Sequence, residues 1–484
     1  MALLKLLSAA FPGRAASWVM AGGAVLGAMA GCAGYPADNR LLAADQAAAA
    51  YEARSLASED LHRFLGGNLS REFTAWPPTA WDFEMLSWVA FYYNPALDVA
   101  RAQWEVARAG LLTAAARPNP SLSVAPGYNS SAKGGVSPWF PALNLDFLLE
   151  TARKRELRTE VARLAAESAR QAVFTAAWQV RSELRQALLD CALAGQRVTA
   201  LQAQVDSQQR ILTLLQQRQA AGAISASGVS AARLALVRAE AAAAEAQRQA
   251  PLARQRIAQV LGVPGAALAG WTLPAPAPAE PLSAGQLAAA RRQSLQTRAD
   301  VLGALARYEA SQAALALEVA RQNPDLHLGP GYQWDQGENK WSLSLSLELP
   351  LFNRHEGPLA AAAAGRREAA AQFIATQARV LVEIDGAAAA QSAAQAQVAS
   401  LHRLQDEVEQ QQARLELRLK AGGADQLEAQ SGRLEIAAAG LALAEAQAQA
   451  AAAAGRLEDA LQVPFANLAT LERPGSVFPS PSSP

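Results

Sequence analysis

The chain states one plan twice. Asn119-Pro120-Ser-Leu-Ser-Val-Ala-Pro126-Gly127-Tyr128 returns about 200 residues later as Asn323-Pro324-Asp-Leu-His-Leu-Gly-Pro330-Gly331-Tyr332. Arg218-Gln-Ala-Ala221-Gly222 returns as Arg418-Leu-Lys-Ala421-Gly422. A duplication of this period is too long for a small-repeat solenoid, so it restricts the chain to two copies of one large supersecondary unit. The order in each copy is a helix, a strand pair, a very long helix, a glycine turn and a further helix.

Helix periodicity begins at Asn94-Pro95 and runs to about Ala116. From Thr151 to Ala220 only Gly195 interrupts a stretch without proline or glycine. Such a stretch makes a helix of roughly 100 Å at about 1.5 Å per residue, which suits a coiled-coil-like assembly and not a compact domain. Gly222 ends it, and Ser225 or Ser227 can cap the next helix, which continues to about Leu261 with a possible kink at Pro251. The second copy predicts helices from Arg298 to Arg321, Glu356 to Lys420 and on to Leu461, with Asp425 as the last N-cap. In each half the two shorter helices, stacked end to end, would match the long one. That arrangement is a wall of antiparallel helices of equal height.

Strands are expected over Ser121–Tyr128, Pro141–Glu150, Asp325–Trp334 and Trp341–Leu351. In the last, Leu343, Leu345, Leu347 and Leu349 alternate with Ser342, Ser344, Ser346 and Glu348. One face is apolar and the other polar over about the length of a membrane-crossing strand. Alternation alone also fits a half-buried strand over a soluble core. Four strands cannot close a barrel, and an open sheet edge in lipid leaves backbone groups without water, so a membrane role would make oligomerisation compulsory.

Residues 1–31 look like an export signal: Lys5 and Arg14 precede the apolar stretch Ala15–Ala30, which ends in Met29-Ala30-Gly31-Cys32. The boundaries implied are a leader (1–31), an N-terminal extension (32–93), a first repeat (94–262), a Pro/Ala-rich linker (263–297), a second repeat (298–462) and a disordered tail (463–484). The 43 basic residues balance the 43 acidic ones, which argues against a nucleic-acid partner. Four histidines, His62, His327, His355 and His402, are scattered along the chain, and no Cys/His cluster has metal-ligand spacing. No Gly-rich phosphate loop follows a strand. Neither an enzyme nor a resident cofactor or metal is expected. Cys191 has no intramolecular partner if Cys32 is modified, and reads as a small buried apolar residue.

These features together resemble the TolC-like outer membrane factors, components of tripartite efflux pumps. The resemblance rests on Asn94-Pro95-Ala-Leu, the Pro-Asn-Pro before the first strand, the Arg-x-x-Ala-Gly turns and Leu349-Pro350-Leu351-Phe352-Asn353-Arg354. Glu150-Thr-Ala-Arg-Lys154-Arg155-Glu-Leu-Arg158 is similar to the Glu-x-Gly-Gly-Lys-Arg-x-x-Arg of the heavy-metal cation branch, with Ala152 and Arg153 in place of the paired glycines. Phe352-Asn-Arg354-His355-Glu356-Gly357 is similar to that branch's Phe-Asp-Arg-Asn-Gln-Gly. The Cys32 box resembles a bacterial lipoprotein site, implying an acylated cysteine and an outer-membrane anchor.

The resemblance implies an α plus transmembrane-β fold: a homotrimer whose four strands per chain make one twelve-stranded outer-membrane barrel continuous with a periplasmic helical barrel. It implies a periplasmic adaptor docked at Arg218, Gly222, Ser225, Arg418, Gly422 and Leu427, and an inner-membrane RND-type pump as energy source. Glu428 falls where the family often has an acidic aperture residue, whereas the first half has Gly228. Lipid would face Leu343, Leu345, Leu347 and Leu349. The function implied is a passive exit duct, with heavy-metal cations as cargo in the branch it resembles. A periplasmic coiled-coil scaffold lipoprotein and the outer-membrane duct of one-step protein secretion remain the alternatives.

Overall fold

Capping residues decide where the helices of this chain begin and end. The computed structural model describes residues 42–69, 73, 75–274 and 281–464. Cys32, the leader and the tail from 465 lie outside that range. Helix α1 (Ala44–Glu52) belongs to a separate unit, residues 1–53, and none of its residues is buried. The unit from 54 onward holds α2 (Glu59–Leu69), α3 (Phe83–Tyr93), α4 (Pro95–Ala115), α5 (Lys154–Ala220) and α6 (Ala226–Leu261). It continues with α7 (Ala284–Thr297), α8 (Ala299–Arg321), α9 (Glu356–Lys420) and α10 (Gln426–Leu461). Its strands are β1 (Ser121–Ala125), β2 (Ala142–Leu149), β3 (Leu326–Asp335) and β4 (Glu338–Leu347).

The stacked wall is as expected. Helices α4 and α6, of 21 and 36 residues, lie along the 67-residue α5. Helices α8 and α10, of 23 and 36 residues, lie between α5 and the 65-residue α9. Helix α5 is therefore interior to the wall, while α9 is one edge and the α4/α6 stack the other. Small residues permit close approach: Ala450, Ala451, Ala453 and Ala454 of α10 are buried, and a Cβ on Gly455 would lie 2.4 Å from Cδ of Arg185 on α5. Helix α6 runs through Pro251 without ending there.

Where one short helix ends against the start of another, orphan carbonyls and amides must be satisfied. In the first half Asn94 and Arg54 do this: the Asn94 side-chain oxygen accepts from Ala96 N at 2.9 Å and its Nδ2 donates to the Val260 carbonyl at 2.7 Å, while Arg54 donates to the Tyr93 and Gly262 carbonyls at 2.8 and 2.7 Å. Gly262 adopts φ +74°, and a Cβ there would meet the Tyr93 carbonyl oxygen at 2.4 Å. The second half solves the same joint differently. Arg298 donates to the Ala460 carbonyl, and left-handed Gln462 turns its Oε1 to the Ala299 amide at 2.9 Å.

Two segments are more ordered than their composition suggests. Within the 32–93 extension, Leu61 and Leu65 of α2 and Leu86 and Val89 of α3 pack with Leu184, Leu188, Ile257, Leu261 and Leu268 in one core. The 263–297 stretch is only partly a linker: it holds a 3-10 turn at Gly265–Leu268 and α7, whose N-terminus carries a Ser283/Gln286 capping box. Alanine runs hid α7, because its apolar face is built from Ala290 and few larger side chains.

The long helices start later than Thr151 would give because Ala152 and Arg153 take left-handed φ values of 50° and 58°. These are the positions where the heavy-metal branch has glycines, so the backbone demand persists after the glycines are gone. His355, in place of the branch's asparagine, is likewise left-handed at φ 65°. The rest of the motif ties strand to helix. Arg158 bridges Glu150 at 2.6 Å, and the buried Lys154 donates to the Asn323 carbonyl at 2.6 Å and to Asp325 at 2.7 Å.

Candidate channel wall and hairpin tips

The two hairpins join through β2 and β3 into one antiparallel sheet, ordered β1-β2-β3-β4. Residues directly opposite one another point to the same face. Register therefore sorts the whole sheet. Leu122 pairs with Leu145, Val124 with Leu143, Phe147 with Leu328, Leu149 with Leu326, Leu326 with Leu347, Leu328 with Leu345 and Pro330 with Leu343. The other face pairs Ser121 with Asp146, Ser123 with Asn144, Asn144 with Gly331, His327 with Ser346, Gly329 with Ser344 and Gln333 with Lys340. Glycine at 329 and 331 leaves room for the side chains of Ser344, Ser342 and Asn144.

The apolar face is bare within the chain: Leu343 is 71% exposed and Leu345 64%. Aromatic residues gather toward the turn end, with Tyr128 against Trp139 and Tyr332 against Trp341, both with ring centroids 4.9 Å apart. At the helix end Phe352 is fully exposed. An apolar band flanked by aromatic rings is the pattern of a barrel strand set at two membrane interfaces. Leu349 lies beyond β4, which ends at Leu347, because the neighbouring strand ends at Leu326 and Asp325 before it is drawn to Lys154. Leu349 remains 63% exposed. Strand β1 likewise stops at Ala125, before Pro126. Among the described residues no helix is long and apolar enough to cross a membrane.

At the far end of the long helices the two turns share one hydrogen-bond pattern. Ala223 N donates to the Arg218 carbonyl and Gly423 N to the Arg418 carbonyl, both at 2.8 Å, while Gly222 and Gly422 both take φ +76°. These are Schellman turns, and a left-handed glycine is what they require. The caps after the glycines differ. Asp425 accepts from Leu427 N at 3.2 Å. Ser225 holds the N-cap position without bonding the backbone, because its hydroxyl pairs with that of Ser227 at 2.7 Å.

The structure joins two tip residues that the sequence left separate: Arg218 of the first turn is ion-paired with Asp425 of the second. That pairing and the Leu427 amide hold the Asp425 carboxyl below the usual carboxylate range. Arg418 turns inward to the Gly423 carbonyl at 3.1 Å. Glu428 stands exposed in the first turn of α10, where a carboxylate favours the helix dipole. Beside the tips a groove of about 1000 Å³ opens between α5 and α10, lined by small residues including Gly195, Ala203 and Gly440. Among the described residues no three His, Cys, Asp or Glu side chains gather to hold a metal ion.

Residues 90–263 match the family model described as outer membrane efflux protein. The cobalt-zinc-cadmium resistance protein CzcC of Cupriavidus metallidurans is 25% identical over 296 residues, a stretch covering 59% of this chain and 66% of that relative. Similar folds occur in the outer membrane protein VceC of Vibrio cholerae (TM-score 0.65, 22% identity, 79% of this chain and 96% of that one). The Neisseria gonorrhoeae outer membrane channel MtrE, solved in its open state, gives a TM-score of 0.63 at 18% identity over 79% of this chain and 89% of that one. These relatives are efflux proteins and channels, not enzymes. The chain thus carries an outer membrane efflux protein domain over residues 90–263, is similar in sequence to CzcC, and shares its fold with outer membrane proteins and channels.

Proposed function

We propose that three copies of the chain pool their strands into a twelve-stranded barrel in the outer membrane and form the passive exit duct of a tripartite efflux system. The observation that carries this reading is the sheet: one face apolar and largely exposed, the other mostly polar, with Leu148 and two alanines its apolar members, and both edges, β1 and β4, unpaired among the described residues. A lone sheet of this kind is prohibitive in lipid, and closure with identical copies removes both edges. The helical wall has matching needs. On its α9 edge Ile374 and Val382 are exposed, and on its α4/α6 edge Val106, Leu112, Leu234 and Val237 are exposed. One edge against the other of the next copy is a heterologous contact that closes into a ring. A periplasmic scaffold gives no reason for such a division of the sheet's faces.

In this reading Cys32 carries the lipid anchor, and Leu343, Leu345, Leu347 and Leu349 face the membrane. An adaptor docks at the tips through Arg218, Gly222, Ser225, Arg418, Gly422 and Leu427, an RND-type inner-membrane pump supplies the energy, and Glu428 lines the aperture. Kinship with a cobalt-zinc-cadmium resistance protein points to heavy-metal cations as cargo. The test is to purify the mature protein from outer membranes in detergent, measure its mass, and record single channels in planar bilayers for wild type, Glu428→Ala and Leu345→Arg. A trimer with discrete conductance, altered by Glu428→Ala, supports the duct. Leu345→Arg should fail to insert, since arginine on a lipid face near the midplane costs about 2–4 kcal/mol. A folded monomer that never conducts overturns the reading in favour of a scaffold.

A further inference from the structure

The polar face of the sheet carries a histidine whose ring is already set for coordination. His327 on β3 points its Nδ1 at both carboxylate oxygens of Asp146 on β2, at 3.0 and 3.2 Å. An ionised carboxylate only accepts, so the proton between them belongs to Nδ1. The lone pair of the neutral imidazole then sits on Nε2, which makes no hydrogen bond among the described contacts. Neither ring nor carboxylate is buried; the side chains are 44% and 45% exposed. The neighbours on that face are Ser346 and Leu148 on either side of His327, Ser121 opposite Asp146, and Gly329 beside Ser344.

A carboxylate holding the far nitrogen of a histidine fixes the tautomer and raises the basicity of the nitrogen left free, the arrangement found behind metal-bound imidazoles. Neutral imidazole suits zinc, copper, iron and nickel, whereas magnesium prefers an all-oxygen octahedron. We infer that His327 Nε2 is a transient binding point for a divalent transition-metal ion on the channel wall, with Asp146 as its positioning residue. The inference rests on the proposed duct, since it requires the polar face to line a lumen. At a strand spacing of about 4.8 Å, twelve tilted strands give a radius on the order of 10 Å or more, so the three histidines of a trimer act separately. One protein nitrogen and water make a weak site. A weak site suits conduction, which requires an ion to leave as readily as it enters.

The test uses the full-length protein in planar bilayers carrying KCl, with ZnCl2 titrated to millimolar levels and MgCl2 as the hard-cation control. Each variant's zinc-free conductance serves as its own baseline. Zinc should give brief, concentration-dependent blocks in wild type where magnesium gives none, and His327→Gln should abolish them. Asp146→Ala should weaken the block about 10-fold or more. Asp146→Asn should restore part of it, because the amide oxygen still accepts from Nδ1. Channels that ignore zinc, or that zinc blocks equally in wild type and His327→Gln, overturn the metal site and leave the duct standing. A wild-type protein that forms no channel overturns both.

Discussion

The two hairpin tips have one backbone and two interiors. In the first, Leu212 of α5 is buried with Val229, Ala232 and Leu236 of α6. At the corresponding place in the second stands Gln412 of α9, 6% exposed, its amide donating to the Ala429 carbonyl at 3.3 Å and to Glu416 at 3.2 Å. Glycine makes this possible: where the first tip has Ala232 the second has Gly432, and a Cβ there would meet Gln412 Oε1 at 2.0 Å. Oε1 of Gln405, Gln412 and Gln430, all in the second hairpin, are buried without a donor. Each such orphan costs about 1–3 kcal/mol. Duplication thus preserved the turn geometry, which glycine satisfies at least cost, and released the filling. The second tip is therefore expected to open more readily than the first.

The sharpest way to break this contrast is to give the first tip the second's chemistry. Leu212→Gln puts an amide among Val229, Ala232 and Leu236 with no glycine to admit it. A destabilisation of about 2–4 kcal/mol is expected, read as faster amide exchange across 205–236 with the rest of the wall unchanged. Exchange no faster than wild type would mean that the apolar cluster does not hold the tip. The reverse exchange, Gln412→Leu with Gly432→Ala, should slow exchange in the second hairpin. It removes an orphaned oxygen and a helical glycine, and loses the amide's bonds to Ala429 and Glu416, for a net gain of about 1–2 kcal/mol. If the tips then protect their amides equally, the polar filling accounts for the difference.

Shared backbone geometry predicts equality where the interiors predict inequality. Gly222 and Gly422 both stand at φ +76° with open space where a Cβ would go, so alanine at either meets only the left-handed backbone penalty. Gly222→Ala and Gly422→Ala should each cost about 1–2 kcal/mol, measured as matching shifts in melting temperature. Unequal shifts would show that the turns are less alike than their hydrogen bonds.

What the sequence disclosed and what it concealed divide along the same line. Turn glycines, Asn94, Asp425 and the Leu/Ser alternation of β4 act through their own backbone, so helix ends, both tips and the sheet's faces were legible. Contacts between the halves were not. Nothing local links Arg218 to Asp425, Arg185 to Glu458, whose side chains pair at 2.7 Å, or His327 to Asp146. For the last pair, strand parity was the available signal, since both residues share a face with the serines. Ser225 misled because a second hydroxyl two residues on competes for it. Helix α7 stayed hidden in alanine, and the demand for left-handed backbone at Ala152 and Arg153 was visible only through the branch's missing glycines.

The smallest expected effect separates the tips by pH. Asp425 caps α10 and pairs with Arg218, and the arginine, followed by the Leu427 amide, holds its carboxyl low. A carboxyl depressed in the folded state contributes fully above its unfolded pKa of about 3.9 and loses that contribution as pH falls through the folded value. The second tip should therefore loosen on acidification below about pH 4. The first, whose N-cap is Ser225, has no titrating cap to lose. Asp425→Asn keeps a good cap while removing the charge, so it should slightly weaken the second tip at neutral pH and abolish its acid-dependent loosening. Amide exchange at Leu427, corrected for the intrinsic rate at each pH, reads this directly. Equal acid loosening in wild type and Asp425→Asn would assign the effect to other carboxylates, Glu416 first among them, since Gln412 and Arg433 hold it low as well.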